Sequence, residues 1–397
     1  MGGAVFVLSA ATAGQRGPVA ALVSAAGWAS AAQRVLGASW IATPAGVIDP
    51  DEARRAGSAA HLSSEAAPRW PRLLPVSAKV AVKDVLEWRR GRHVGIDPAG
   101  PWVDRELSFV WQRHEVFRTG GIELARALGV PSVLFVTAPQ VWEAEQWGVR
   151  RPGWGRALER LGERPALQAA DLVACGTHSV AEQVVRLGVP ADRTLVTPTG
   201  VDLDLFRPEL DGAPLKRSLG LEGRFVVGWV GSFRRFHAVE DAVAAVAAVE
   251  GASLLFVGDG PERPRIQQLA TDAGVHAVFA GTTPHAELPS HLAVMDAALV
   301  LASPEQSFHY SPLKLAEYLA AGLPVVAPAT GGLEERLSDG VDAALVVPGD
   351  IRALGAALRR LRDDPELRRR LGEGARRTAE AEWSWDLQVE RVGAALR

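Results

Sequence analysis

SPLKLAEYLAAGLPVVA, residues 311–327, predicts a helix followed by a buried strand. Ser311 and Pro312 favour a helix N-terminus, because a hydroxyl can cap the free N–H groups and the fixed φ of proline suits the first turn. Gly322 is typical of a helix C-terminus, and Val325–Ala327 is a short apolar run. The stretch is therefore a helix-to-strand unit of the kind that α/β proteins repeat.

Two charged residues distinguish this helix from an ordinary core helix. Lys314 lies one turn into it, so its ammonium can reach an anion held by the N–H groups at the helix N-terminus. Glu317 stands among Leu315, Tyr318 and Leu319, which form an apolar stripe at helical spacing. Burying an unpaired carboxylate is costly, so Glu317 is expected to have a partner. Ordinary core packing explains the apolar residues.

The longer segment SFHYSPLKLAEY resembles the donor-binding signature of the family-4 retaining glycosyltransferases, enzymes of the GT-B fold. That signature has two glutamates with seven residues between them. Glu317 matches the second glutamate, which in the family binds the ribose hydroxyls of the nucleotide. His309 stands at the position of the first, which contacts the transferred sugar. The resemblance implies donor contacts for Tyr310, Ser311 and Leu313 as well.

Composition favours a folded protein with two domains. The chain has 397 residues, of which 48% are hydrophobic and 22% charged, enough for two separate cores. The formal net charge of −3 and the scattered basic residues argue against a nucleic-acid partner. Cys175 is the single cysteine, which excludes an internal disulfide and a cysteine-rich zinc site. We expect Cys175 in the core and the protein in a reducing compartment, the cytoplasm.

Membrane contact is expected to be peripheral at most. The N-terminus MGGAVFVLSAA lacks the leader of a secretory signal, and no apolar segment approaches the ~20 residues that span a bilayer. Four basic residues lie on a helix predicted at 77–90: Lys79, Lys83, Arg89 and Arg90. They could dock a phosphorylated acceptor or an anionic membrane. Asp84 and Glu87 interrupt the charge, however, and favour a solvated helix face.

Short apolar runs alternate with helical patterns, which predicts parallel sheets flanked by helices. The strand candidates are Val5–Leu8, Ser132–Val136, Asp171–Ala174, Phe225–Val230, Ser253–Val257, Ala297–Leu301 and Val325–Ala327. The alternation occurs on both sides of TPTGVDLDLFRPE, residues 197–209, whose Pro, Gly and Asp content is typical of a linker. The domain boundary is placed near Val201, where the resembling family has a similar GVD segment.

The resemblance implies a GT-B architecture of two Rossmann-like, doubly wound domains that face each other across a cleft. Residues 1–200 are expected to bind the acceptor and residues 201–380 the nucleotide sugar. Residues 381–397 are expected to form a helix that returns to the first domain, anchored by Trp383 and Trp385.

The run VVGWVGSFRRFHAVEDAV predicts a strand, a glycine turn and a helix. Gly231 would lie at the carboxyl end of the strand, beside the interdomain cleft, where phosphates bind in such folds. Arg234 and His237 are the cationic candidates at this turn, and with Lys314 they are the predicted catalytic residues. In the resembling family an arginine and a lysine stand at the positions of Ser232 and His237.

Two further loops complete the expected donor site. Gly258, Asp259 and Gly260 form a tight turn after the next predicted strand. Thr282 and His285 belong to a G-x-x-x-H loop that in the resembling family borders the base. The order of strand, GDGP turn, G-x-x-x-H loop and SPLKLAEY helix matches the second domain of the family. His285 itself is interpreted as a residue of helix entry and structure.

The expected acceptor side lies in the first domain. Gly14 and Gly17 follow the first strand, where small residues let a backbone approach a ligand closely. Thr137 and Gln140 follow another predicted strand, in LFVTAPQVWEAE, and complete the predicted acceptor residues. No G-x-G-x-x-G motif is present, which disfavours a nicotinamide cofactor at the first strand.

The chemistry follows from the residue types at these sites. No recurrent Asp-x-Asp element stands at a strand end and no Ser, His, Asp set presents a nucleophile, whereas cations and helix ends suit a departing diphosphate. The resemblance implies a retaining, metal-independent hexosyltransferase, with a nucleotide-diphosphate sugar as co-substrate and no other cofactor. The acceptor stays open between a small molecule, a glycan and a lipid-linked compound.

Two alternatives remain at this point. One is a GT-B sugar-nucleotide epimerase, which would change its donor without any acceptor. The other is a non-catalytic subunit that binds a sugar nucleotide, in which His309 and Ser232 record lost activity. Binding without turnover over a broad acceptor panel would favour this second alternative.

Overall fold

The structure is a computed structural model that describes residues 2–8, 19–59, 75–91, 95–305 and 311–397. Its first half contains β1 (Gly3–Val7), α1 (Val19–Leu36), β2 (Ser39–Thr43), β3 (Gly46–Ile48), α2 (Pro50–Ala59), α3 (Val76–Gly91), β4 (Leu107–Arg113), α4 (Gly120–Leu128), β5 (Ser132–Val136), α5 (Gln140–Gln146), α6 (Gly155–Leu158), α7 (Arg164–Ala169), β6 (Leu172–Cys175), α8 (His178–Arg186) and β7 (Thr194–Val196). These strands form one sheet in the order β3-β2-β1-β4-β5-β6-β7, parallel except for the β2–β3 pair.

A second, parallel sheet occupies the other half of the described chain. The elements are α9 (Ala213–Ser218), β8 (Phe225–Val230), α10 (Glu240–Val246), β9 (Ala252–Val257), α11 (Arg263–Asp272), β10 (Ala277–Gly281), α12 (Leu288–Leu292), β11 (Ala297–Leu299), α13 (Leu313–Ala320), β12 (Val325–Pro328), β13 (Ala344–Val346), α14 (Ile351–Asp363), α15 (Pro365–Glu382) and α16 (Trp385–Ala395). The strand order is β10-β9-β8-β11-β12-β13. The predicted α/β class with two doubly wound sheets is confirmed.

The strand positions follow the apolar runs of the sequence. β1, β5, β6, β8 and β9 are buried along their whole length, because helices cover both faces of a parallel sheet. The predictions Ser132–Val136 and Phe225–Val230 match β5 and β8. Asp171, predicted to begin a strand, lies just before β6, and its carboxylate accepts the Ser132 N–H at 2.8 Å.

The C-terminal helix α16 packs on the first sheet's side of the molecule, as the resemblance implied. Trp385 is 5% exposed and lies 5.7 Å from the ring of Trp28 on α1. Trp383 is fully buried in the core of the second sheet, and its carbonyl accepts the Val201 N–H at 2.8 Å. The two tryptophans therefore anchor one chain segment in two cores. Cys175 is fully buried on β6, as predicted.

The two halves also touch through side chains around the cleft. The rings of Trp147 and Phe236 stack at 5.0 Å with an interplanar angle of 4°. Arg54 on α2 lies 3.6 Å from Asp202 in the linker. Along the described residues, no helix combines the length and apolar character needed to cross a lipid bilayer.

Candidate active site

Two glycine turns meet at the carboxyl ends of β8 and β9. Gly231 has φ +154° and Gly258 has φ +126°, values that glycine adopts readily. A Cβ at Gly258 would lie 2.0 Å from the carbonyl oxygen of Gly231, and the Gly231 N–H donates to Val257 O at 2.9 Å. The close approach therefore requires glycine, and it leaves a shallow backbone surface at the edge of the sheet.

Lys314 brings a positive charge to this surface from α13. Its Nζ lies 4.3 Å from the centre of the Trp229 ring, a cation–π contact. The same atom is 2.8 Å from the point that a Cβ on Gly231 would occupy. Among the described residues, no carboxylate lies within ion-pair distance of this ammonium. Burial lowers the pKa of Lys314 to about 7, and the charge of Glu317 offsets only part of that effect.

Trp229 was not recognised as a site residue from the sequence. It is fully buried, and its Nε1 has no hydrogen-bond partner among the described residues. Its ring contacts the rings of Phe233, at 5.0 Å, and His237, at 5.6 Å. The indole thus supports Lys314 and His237 together. The signal in the sequence was its position, two residues before the glycine turn at the end of a strand.

Arg234 and His237 differ in their surroundings. Arg234 is exposed and precedes the short 3₁₀ turn Arg235–His237. Burial, followed by the charges of Lys314 and Arg234, lowers the pKa of His237 to about 2. The imidazole is therefore neutral near pH 7. The structure brings the three predicted catalytic residues, Arg234, His237 and Lys314, to one turn.

Tyr318 fixes α13 against β8. Its hydroxyl accepts the N–H of Val230, the last residue of β8, at 2.7 Å. Burial raises the pKa of this phenol, so it stays neutral. The sequence predicted Tyr318 only as part of an apolar stripe. Its bond sets the position of Lys314, one turn away on the same helix, relative to the glycine turn.

Glu317 has the partner that its burial required. Its Oε1 lies 2.7 Å from His285 Nε2, and the two residues are 3% and 8% exposed. Burial disfavours a charged imidazole, but the hydrogen bond and charge of Glu317 outweigh it and the pKa of His285 is raised. His285 begins a 3₁₀ turn, as the sequence predicted for a residue of helix entry.

The Glu317–His285 pair lines a cavity of about 320 Å³ between the two halves. Trp385 and Gly27 border the cavity on the side of the first sheet, and Leu313 borders it on α13. A pocket of this size, mostly apolar with a few converging polar groups, is typical of a small-molecule site.

The remaining donor candidates lie beside these turns. Asp259 is bound locally, since its Oδ1 accepts the Gly260 N–H at 2.7 Å and its Oδ2 pairs with Arg263 at 3.1 Å. Thr282 directly follows β10 and is partly buried. The Gly258 N–H donates to Gly281 O at 2.6 Å, which joins the GDGP turn to this loop.

Ser311 does not cap α13, which corrects the sequence prediction. Pro312 is the N-cap residue, and no side chain caps the helix. The Ser311 hydroxyl instead accepts the Thr199 N–H at 3.3 Å, and the Thr199 hydroxyl donates to Ser311 O at 3.3 Å. Ser311 therefore ties the linker to the start of α13, and the first N–H groups of the helix have no side-chain cap.

Of the predicted acceptor residues, the structure describes Thr137 and Gln140. Thr137 is partly buried at the end of β5. Gln140 begins α5, and its N–H donates to the buried Glu163 at 2.5 Å. Glu163 lies 3.3 Å from His114, a buried pair that the sequence did not reveal because 49 residues separate its members. The predicted residues Gly14, Gly17, His309 and Tyr310 lie outside the described residues.

The two facing sheets and the glycine turns at their cleft define a protein of the GT-B class. Among solved structures, Anabaena HepE in complex with UDP-glucose has a TM-score of 0.64 at 18% identity, covering 99% of both chains. Sucrose-phosphate synthase from Thermosynechococcus elongatus has a TM-score of 0.63 at 21% identity, covering 98% of this chain and 97% of the other. These similarities establish the fold.

The family follows from sequence. The family model of "Glycosyl transferases group 1" matches residues 224–364, and that of "Glycosyl transferase 4-like domain" matches residues 110–200. D-inositol 3-phosphate glycosyltransferase 1 of Catenulispora acidiphila is 32% identical over 364 residues, 84% of each chain. The chain therefore belongs to the group 1 glycosyltransferases of family-4 type, as the sequence resemblance indicated.

Other relatives align over shorter lengths. 2-Deoxystreptamine N-acetyl-D-glucosaminyltransferase of Streptomyces fradiae is 36% identical over 213 residues, 50% of this chain and 49% of the relative. The chain spans about half the length of this and several other curated relatives, from 49% to 59%.

Proposed function

We propose that the protein is a retaining glycosyltransferase that moves a hexose from a nucleoside diphosphate sugar to an acceptor hydroxyl without a metal ion. One observation carries the proposal: the Lys314 ammonium lies over the Gly231 turn with no carboxylate partner among the described residues. Membership of the family supports it, and so does the UDP-glucose complex of the structurally similar HepE.

The diphosphate of the donor would lie on the two glycine turns. There it would meet the ammonium of Lys314 and the guanidinium of Arg234, while His237 would donate a hydrogen bond from its neutral ring. An anion beside a lysine favours the charged form, so donor binding raises the pKa of Lys314 above about 7. The Lys314 ammonium is therefore charged beside the phosphate on which negative charge develops as the leaving group departs.

The nucleoside would occupy the neighbouring cavity. Oε1 of Glu317 is engaged by His285, while the Glu317 side chain lines the cavity and can accept a ribose hydroxyl through Oε2. The hydrogen bond from His285 keeps the carboxylate oriented. The donor would therefore span from Glu317 to Lys314, two residues that lie three positions apart on α13 and so project from nearby parts of the helix.

The transfer step needs no strong base from the protein. The bond from the anomeric carbon to the diphosphate oxygen breaks, and a bond to the acceptor oxygen forms on the same face of the sugar. The acceptor proton passes to the departing phosphate oxygen. Thr137 and Gln140, at the carboxyl end of β5, would face the acceptor, consistent with a role in orientation rather than proton transfer.

The acceptor is proposed to be a small cyclic polyol. Two kinds of relatives carry names that refer to such compounds, D-inositol 3-phosphate and 2-deoxystreptamine. The domain assignment stays part of the proposal, with residues 1–200 on the acceptor side and residues 201–380 on the donor side.

A thermal-shift screen with UDP, GDP, ADP and TDP tests the donor site, because a ligand that binds only the native state raises the melting temperature. Glu317→Ala should abolish the largest shift, whereas Glu334→Ala, at an exposed position, should leave it unchanged. The matching nucleotide sugars are then incubated with cyclitol acceptors and EDTA, and NMR reads the anomeric configuration of the product.

Four outcomes would reject parts of the proposal. An inverted product would reject retention, and activity lost to EDTA would reject metal independence. Epimerised donor in the absence of acceptor would indicate the isomerase. Nucleotide binding without turnover over the whole acceptor panel would indicate a non-catalytic subunit.

A further inference from the structure

We propose that the outward face of α3 docks on an anionic lipid surface. The face consists of Lys79, Val82, Lys83, Leu86 and Arg90, which recur at spacings of three and four residues and so lie on one side of the helix. Val82 is 42% exposed and Leu86 is 40% exposed. The proposal concerns a surface outside the donor site and does not depend on the proposed function.

Asp84 does not interrupt this face, contrary to the sequence interpretation, whereas Glu87 lies at its edge. Asp84 points into the protein, where Arg151 Nε donates to it at 2.8 Å and Trp154 Nε1 at 2.9 Å. Glu87 lies at the edge of the face, where it accepts hydrogen bonds from Arg90 at 3.4 Å and from Arg118 at 3.5 Å. Its charge offsets that of Arg90. Lys79 and Lys83 form no ion pair among the described residues, so the centre of the outward side keeps its positive charge.

The combination of basic and apolar residues on this face indicates which kind of partner it can bind. Arg89 and Val85, the latter 54% exposed, widen the patch around the helix on the side of Val82. Basic side chains attract the phosphates of anionic lipids, and apolar side chains between them can enter the boundary between headgroups and acyl chains. A soluble phosphorylated molecule would use the charges but not the apolar residues. Charge and apolarity together therefore favour a membrane surface.

The C-terminal end of α3 lies close to the carboxyl end of the first sheet. A Cβ at Gly91, the last residue of α3, would lie 2.6 Å from Cβ of Phe117, so the helix end packs closely on the chain that follows β4. Arg118 and Arg151, which hold the acids of α3, follow β4 and α5. α3 therefore borders the carboxyl end of the first sheet. Docking through its outward face would bring that rim of the cleft to the lipid headgroups.

Co-sedimentation of the full chain with vesicles tests the inference. We expect binding to vesicles of phosphatidylcholine mixed with phosphatidylglycerol, weaker binding at high salt, and little binding to phosphatidylcholine alone. Lys79→Gln/Lys83→Gln should lower the partition coefficient roughly thirtyfold, since each basic residue near an anionic surface contributes about fivefold. Val82→Ser/Leu86→Ser should also lower it, because the apolar contribution is lost.

Arg370→Gln/Arg377→Gln is the matched control. Both arginines are exposed on α15, and neither forms an ion pair among the described residues, so this variant removes the same charge elsewhere. It should bind as the unchanged protein does. No binding to anionic vesicles, or equal loss in the control, would overturn the inference. If only the lysine variant loses vesicle binding, and the protein binds inositol phosphate in solution, the face binds a soluble phosphorylated molecule. That result would also overturn the inference.

Discussion

Replacing Lys314 by methionine tests the cation at the glycine turn. Methionine keeps the length and apolar stem of the side chain and removes the ammonium that lies 4.3 Å from the Trp229 ring. A hydrogen bond to a charged group contributes about 1.5–3 kcal/mol. Because the pKa of Lys314 is about 7, its side chain is about half protonated at pH 7 in the free protein. The free energy needed to charge it on binding is therefore small at this pH. We expect the Kd for the best nucleoside diphosphate to rise roughly ten- to 150-fold.

The pH dependence gives a sharper result than the loss of affinity. The pKa of Lys314 in the free protein lies below its ordinary value, at about 7, and an anion raises it, so binding takes up a proton above pH 7. The Kd should therefore rise as pH rises, by up to about fiftyfold between pH 7 and pH 9. In Lys314→Met this rise should disappear.

Isothermal titration calorimetry at pH 6–9, in buffers of different ionisation enthalpy, measures both the Kd and the protons taken up. Lys83→Met, at an exposed lysine of α3, is the matched control and should behave as the unchanged protein does. Trp229→Leu should reduce the affinity, because the cation–π contact that supports the Lys314 ammonium is lost. Equal pH dependence with and without the Lys314 ammonium would show that nucleotide binding does not protonate this residue.

Three further substitutions test the frame of the site. Gly258→Ala should abolish nucleotide binding, since its Cβ would lie 2.0 Å from Gly231 O. Gly274→Ala is the control and should retain binding, because a Cβ there would have nothing within 4 Å. Nucleotide binding by both variants in the thermal-shift screen would contradict the close packing of the two turns. Tyr318→Phe leaves the Val230 N–H without an acceptor and should lower the free energy of unfolding by about 1–3 kcal/mol in urea titrations; an unchanged midpoint would argue against the bond. Trp385→Ala should lower the free energy of unfolding by about 3–5 kcal/mol in the same assay, because the ring is buried against Trp28. A decrease below about 1 kcal/mol would show that Trp385 does not anchor α16 there.

Local patterns allowed much of the fold to be predicted. The strands β5 and β8 are continuous apolar runs, and their ends could be read from the glycine and polar residues that follow. The Gly231 turn was predicted for the same reason, since a glycine after a parallel strand lies at the carboxyl edge of the sheet.

Contacts between distant segments could not be predicted in this way. Glu317 was expected to have a partner, but His285 lies 32 residues earlier and only the packing of α13 against the preceding loop brings them together. Ser311 carries the right side chain for a cap, yet the linker at Thr199 competes for its hydroxyl. Asp84 of α3 interrupts the positive charge in the sequence but turns inward in the structure, because the helix register decides which side it occupies.

A crystal structure with a bound nucleoside diphosphate would show whether the glycine turn and Lys314 hold the phosphates. We expect a ribose hydroxyl on Glu317 and a β-phosphate on the Gly231 turn, within hydrogen-bond distance of Lys314 Nζ. A nucleotide bound elsewhere, or one whose phosphates point away from Lys314, would contradict it.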